Sequence, residues 1–404
     1  MGGVLQGLRI VEGSAFVAAP LAGMTLAQMG ADVIRFDRIQ GGLDYGRWPV
    51  TASGRSLFWA GMNKGKRSIA VDLSSPEGRE IVTRLICEPG EGKGIFLTNL
   101  RVRGWMDYDA LKKRRDDLIM MSITGDRAGN PHVDYSVNPA VGFPEATGPE
   151  GSTDPVGHVL PAWDCVTGQQ AALAILAAER HRRLTGRGQV VELALKDVAL
   201  AMLGNLGILA EVSVNGVDRP KIGTSLYGAY AQDFLCGCGG RVIVVAITAR
   251  QWDNLQAATG ARAAIDVLEA ELGVRLDDEG ARYEARHAIT AVLKPFFAGR
   301  MIADFAGNFD RAHVTWSRYR SFRRVLEDDP DCSTENPMFS SVEQPGIGAC
   351  LTPGSPVAFS DVERQPPVRA PALGENTDEI LGEIGYGDAE IGRLRDAGVV
   401  AGPS

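Results

Sequence analysis

The chain has 404 residues, 45% of them hydrophobic and 23% charged, so it can bury a substantial core and is not of disordered composition. Acids number 50 against 42 lysines and arginines, and the net charge of -8 argues against a general affinity for nucleic acid or anionic membrane, leaving only local basic clusters open to such contacts. No stretch approaches the roughly 20 apolar residues of a membrane span, and MGGVLQGLRIVEG lacks the basic and apolar regions of a signal peptide, so a cytoplasmic location is expected.

In chain order, LRIVEG (8–13) reads as a strand, Pro20 to Met29 as a helix, and DVIRFD (32–37) as a second strand. SIAVDL (68–73) is a third strand, and Ser75, Pro76 and Glu77 behind it form a helix start. GIFLTN (94–99) and DLIMMSIT (117–124) continue the series, which implies a parallel sheet covered on both faces. The segment 164–183 is the clearest helix, with basic residues crowded into its last turn. QVVELAL follows as a strand, and DVALAMLGNLGILAEV (197–212) as a second long helix.

Composition changes near residue 213. YGAYAQDF and RVIVVAIT then read as a short sheet, followed by amphipathic helices. The expected organisation is a large α/β domain beginning at 1–212, a smaller domain at 213–330, and 331–404 as linker and return to the large domain. Residues 337–371 read as a proline-rich loop stretch before a final helical segment ending near Gly398.

The usual nucleotide fingerprints are missing: GSAFVAAP follows the first strand in place of G-x-G-x-x-G, and no P-loop occurs. Arg35, Arg38, Arg47 and NKGKR (63–67) have two readings, a grip on phosphate oxygens or solvated loop charge. Asp164, at the mouth of the long helix, also has two. It is a plain helix cap, or a carboxylate nucleophile that attacks an activated acyl group, its pKa lowered by the helix dipole. Cys165 is the adjacent rival, with His158 the nearest histidine in sequence, and its other reading is a buried structural thiol. The six scattered cysteines are expected to be reduced, and the five histidines show no metal-binding spacing.

Several ordered blocks carry a resemblance: GLRIVEGSAFVAAPLAGMTLAQMGADVIRFDR, KRSIAVDLSSPEGREI, the asparagine of FLTN, D-x-x-x-G at 164–168, LTGRGQVVELALKD and APALGENTDEILGEIG. Together they resemble the class III CoA-transferases, of the formyl-CoA transferase and carnitine CoA-transferase type. The resemblance implies a Rossmann-like large domain with a parallel sheet, a smaller α+β domain, and an interlocked ring-like homodimer. It implies Asp164 as the catalytic nucleophile. It implies CoA contacts at Phe16, Val17, Ala18, Arg38, Val71, Asn99, Leu100 and Arg103, and no metal or cofactor beyond the CoA of the substrate.

Three blocks depart from the common pattern. Asn138-Pro139-Ala140-Val141-Gly142 replaces Q-A-x-x-G, Gly374-Glu375-Asn376-Thr377 replaces G-E-H-T, and IGTSLYGAYAQDF stands where a glycine loop is found in the formyl-CoA enzymes. The last of these blocks, with VDYSVNPAVGFPEATGPEG, HVLPAWD, DPDCSTENPMF and QPGIGACLTPGSP, resembles the mesaconyl-CoA subgroup, which moves CoA between the two carboxyl groups of one retained acid. Tyr135, Asn138 and Gly223 are its implied substrate contacts. Three alternatives stand beside this reading. One is intermolecular transfer to another dicarboxylic acid. Another is an α-methylacyl-CoA racemase, for which His132 lies one residue out of step, and the last a non-catalytic nucleotide-binding regulator.

Overall fold

A computed structural model describes residues 3–403. The chain forms two compact units. The first contains residues up to Val141, His158–Asn215 and the segment from Pro330 onward; the second contains Gly142–Gly157 and Gly216–Asp329.

Six strands of the first unit run parallel: β1 (Arg9–Gly13), β2 (Asp32–Asp37), β3 (Arg67–Val71), β4 (Ile95–Thr98), β5 (Ile119–Thr124) and β6 (Gln189–Ala194). Their spatial order is β3-β2-β1-β4-β5-β6, and the last strand, Val400–Ala401, pairs antiparallel with β3. Alternation along the strands sends Val11, Ile34, Phe36, Ile69 and Phe96 into one core and Ile10, Val33, Ile95, Leu97 and Ile119 into another. Both faces of the sheet are therefore covered. The order reverses between β1 and β4, and at such a switch point the carboxyl ends of the strands leave a crevice for a ligand.

The helix predicted from Pro20 spans Ala18–Gln28, and the one predicted over 164–183 spans Ala162–Thr185. They pack through Ala18, Ala19, Ala22, Ala171, Ala172 and Ile175. Gly168 makes the contact close: a Cβ there would stand 2.7 Å from the carbonyl oxygen of Ala18. The fixed spacing of D-x-x-x-G thus sets Asp164 one turn before a backbone-to-backbone approach, near the loop that follows β1.

Three sequence expectations change. The helix expected over 197–212 is two, Leu195–Asn205 and Ile208–Asn215, bent by 60° where Gly207 takes a positive φ of 74°. The proline-rich stretch contains an antiparallel hairpin of β10 (Phe339–Gln344) and β11 (Gly348–Pro353), its turn made by Gly346 with φ 71°. Residues 142–157, assigned by sequence to the large domain, cluster with the second unit. There the nearly buried Lys221 ammonium donates to the carbonyls of Thr147 and Asp154 at 2.8 and 2.6 Å. A loop that supplies carbonyls to a buried cation carries no apolar period to reveal where it belongs.

The second unit has a three-stranded antiparallel sheet of β7 (Tyr230–Leu235), β8 (Arg241–Ala246) and β9 (Thr315–Arg318). Its core holds an aromatic cluster of Phe234, Phe297, Phe305, Phe309 and Trp316, which five helices help to enclose. Among the described residues, no single helix is long and apolar enough to cross a membrane, although the bent pair passes that test by composition.

Candidate active site

Asp164 lies in the first turn of its helix, whose N-cap is Pro161 and has no side-chain cap of its own. The cap comes from another element. The short helix Asp134–Ala140 places Asp134 so that one carboxylate oxygen accepts the backbone N–H groups of Trp163 at 2.7 Å and Asp164 at 3.1 Å. Four residues on, one helical turn away, Asn138 accepts the indole N–H of Trp163 at 3.0 Å. Asp134 and Asn138 together grip the start of the long helix.

Asp164 is therefore not the cap that one reading proposed. Among the described residues, no hydrogen bond or ion pair within 4 Å reaches its carboxylate. Burial pushes its pKa up to about 6, Asp134 adds to the rise, and Arg47 opposes it. This corrects the expectation that the helix end lowers the pKa: the free N–H groups that would do so are already taken by Asp134. Its neighbour Cys165 is also raised, by burial and then by Asp164 and Asp134, which argues against a thiolate nucleophile. His158 is occupied with the Leu160 carbonyl. His132 faces Ser136 and Asp126.

The loop after β1 is held at two successive residues. The amide of Asn99, just past β4, accepts from Ala15 N–H at 2.9 Å and donates to the Ala15 carbonyl at 2.7 Å, bridging the switch point. Phe16 has a positive φ of 67°, rare for an aromatic residue, and its N–H donates to the buried Asp44 at 3.1 Å. Asp44 in turn is locked by Arg35, which also binds Asp37 and lies 4.4 Å from the Trp59 ring. Behind them Lys66 donates to Glu12 at 2.8 Å, and Ser14 donates to Glu12 at 2.6 Å. Burial pushes Lys66 down to about 8 and Asp37 up to about 6, in each case against the pull of its partner.

Neither reading of the basic residues thus describes Arg35 and Lys66. They are neither solvated nor open to phosphate but form the core of a buried network that shapes the Phe16 loop. Arg47 is different. It is exposed, with its guanidinium 5.2 Å from the rings of both Phe16 and Phe58. Arg38 is exposed at the end of β2 and lines a recess of about 570 Å³ with Ile39, Gln40, Asp72, Leu73, Ser74 and Gly398. Val71 is buried at the end of β3, beside that recess. Val17 and Ala18 begin the first helix and are buried. Leu100 donates its N–H to Thr98 at 3.0 Å, and Arg103 is exposed on the same loop.

Tyr135 is exposed and donates its hydroxyl to the Val159 carbonyl at 3.3 Å. Asn138 is buried with its amide oxygen engaged by Trp163, and so supports the long helix directly. Gly223 belongs to the second unit, where its N–H donates to the Gly148 carbonyl. Among the described residues, no group of three or more His, Cys, Asp or Glu side chains is placed to hold a metal ion.

Asp134 and Asp44 escaped the sequence reading. The spacing of Asp134 and Asn138 on one helical face was a usable signal, whereas Asp44 lies in a loop with no period at all.

The family model for CoA-transferase family III matches residues 5–377. The chain is 59% identical over 405 residues to the 2-methylfumaryl-CoA isomerase of Chloroflexus aurantiacus, spanning 100% of this chain and 99% of that protein. It is 28% identical to the succinyl-CoA:mesaconate CoA-transferase of Haloarcula hispanica, over 95% of this chain and 97% of that one. Among solved structures, a CAIB/BAIF family protein from Brucella suis superposes with a TM-score of 0.78 at 25% identity, covering 95% of this chain and 100% of its own. With a doubly covered parallel sheet and a match across nearly its whole length, the chain belongs to CoA-transferase family III.

Proposed function

We propose that this enzyme moves CoA between the two carboxyl groups of mesaconate, converting 2-methylfumaryl-CoA to 3-methylfumaryl-CoA. The observation that carries the reading is 59% identity, end to end, with an enzyme of that name. The unbonded carboxylate of Asp164 supports a covalent route. With a pKa of about 6 it is roughly nine-tenths ionised at pH 7 and needs no general base.

The Asp164 carboxylate attacks the thioester carbonyl; the C–S bond breaks and CoA leaves as thiolate, giving a mixed anhydride. The thiolate attacks the aspartyl carbonyl of that anhydride, releasing the mesaconate carboxylate and leaving an aspartyl-CoA thioester. The other carboxylate of the retained acid then attacks this thioester and again expels thiolate. Attack of the thiolate on the distal acyl carbon completes the isomer and returns the Asp164 carboxylate. Each step exchanges one anion for another, so the cycle needs no net proton and no redox partner. Holding the acid in place makes the exchange effectively intramolecular.

In this reading the CoA lies along the carboxyl ends of the strands. Phe16, Val17, Ala18 and Asn99 stand at the switch point, Arg38 lines the recess beyond β2 and β3 with Val71 buried beside it, and Leu100 and Arg103 lie on the adjacent loop. Tyr135, Asn138 and Gly223 are assigned to the acyl end by subgroup position. The working form is a homodimer in the cytoplasm, as the family resemblance implies.

The test is turnover of 2-methylfumaryl-CoA in the presence of isotopically labelled free mesaconate, with hydroxylamine trapping and peptide mapping in parallel. The expected result is isomer without label and a hydroxamate at Asp164. Label in the product would instead favour exchange with free acid, the chemistry named for the Haloarcula relative. Modification at any other residue would refute the Asp164 route.

A further inference from the structure

We propose that Asp134 is a positioning residue that takes the helix cap away from Asp164, so that the nucleophile stays unbonded and in the field of a like charge. The inference rests on Asp164 being the nucleophile and adds what makes that carboxylate reactive.

An aspartate in the first helical turn ordinarily lowers its own energy by bonding the free N–H groups at the helix start. Here those of Trp163 and Asp164 itself both point to one oxygen of Asp134. The other oxygen of Asp134 is fully buried and has no hydrogen-bond partner among the described residues. A buried carboxylate with one oxygen left bare is a costly arrangement that fold stability alone does not select. An asparagine could cap the same two N–H groups without the charge, so the charge itself demands a use.

That use follows from the charge balance of the first step. As Asp164 becomes an acyl group, its negative charge passes to the departing thiolate, and the repulsion from Asp134 is relieved. Attack is therefore favoured relative to a nucleophile stabilised by its own cap. The charged groups facing Asp164 are Asp134 from the short helix and Arg47 from the loop after β2, with the Cys165 thiol next to it in sequence. Arg47 opposes the effect and keeps the carboxylate ionised near neutral pH.

The test compares the wild-type enzyme with D134N, which retains an oxygen to accept both N–H groups. The acid limb of kcat/KM for 2-methylfumaryl-CoA should stand near pH 6 in the wild type. It should move down by about one pH unit in D134N, with the plateau rate falling several-fold and the variant still folded at the assay temperature. An unmoved limb with trapping still at Asp164 overturns the role of Asp134, whereas absence of an Asp164 adduct in the wild type overturns the nucleophile itself. Should D134N not fold, D134S, whose hydroxyl can also accept from the helix start, carries the same comparison, and an acid limb left at the wild-type pH again overturns the role of Asp134.

Discussion

Replacing Asp164 with asparagine should abolish turnover and make the protein more stable at neutral pH. The sign follows from the raised pKa. Folding holds the Asp164 carboxyl at about 6 against an ordinary 3.8, so the fold prefers the protonated form. The stability this group contributes is fully present below pH 3.8 and is lost as the pH rises through 6. At pH 7 the loss is about 3 kcal/mol at most, and D164N, which cannot ionise, escapes it. Asp164 is only partly buried, so a recovered gain of about 1–2 kcal/mol, or a few degrees in Tm, is expected. Thermal melts of both proteins between pH 4 and 8, without ligand, should show curves that coincide near pH 4 and separate to a constant gap above pH 7. A D164N protein less stable than wild type at pH 7, or a gap independent of pH, would refute the claim that Asp164 is held against its own charge.

G168A should destabilise by about 1–3 kcal/mol, because its new Cβ would meet Ala18 backbone at 2.7 Å and Leu21 at 3.1 Å; equal urea midpoints would show that the helices part freely. R35M should cost about 3–5 kcal/mol, since it strands the buried Asp37 and Asp44, and a denaturation midpoint within error of wild type would contradict that. R38A should raise KM for the CoA thioester about tenfold with kcat nearly kept, through loss of one charge-assisted contact to phosphate. An unchanged KM would remove Arg38 from the proposed CoA site.

Much of the large sheet was legible because its strands are buried on both faces. RIVEG, DVIRFD and IMMSIT each centre on a short run of buried apolar residues near glycine or polar punctuation, and the structure places strands there. The two-piece nature of 197–212 was not legible, since both pieces are apolar and only the conformation of Gly207 separates them. Asp164 could be singled out as a candidate, but not its condition. Whether the dipole lowers its pKa depends on who takes two N–H groups, and the taker lies 30 residues upstream. The arginines illustrate the same limit. Arg35 and Arg38 stand three residues apart in one strand and its end, yet one is sealed inside the network and the other faces an open recess.

The pairing of Val400 and Ala401 with Val71 and Ala70 also bears on how the protein is made. The edge of β3 emerges from the ribosome early, but its partner follows about 330 residues later. At ordinary elongation rates that is an interval of roughly 15–65 s. Throughout it, an apolar parallel sheet presents bare N–H and carbonyl groups along β3, which invite pairing with any neighbouring nascent chain. Shortening the chain by its last few residues should therefore lower the soluble yield far more than it alters the active site, and a chaperone that shields β-edges should restore it.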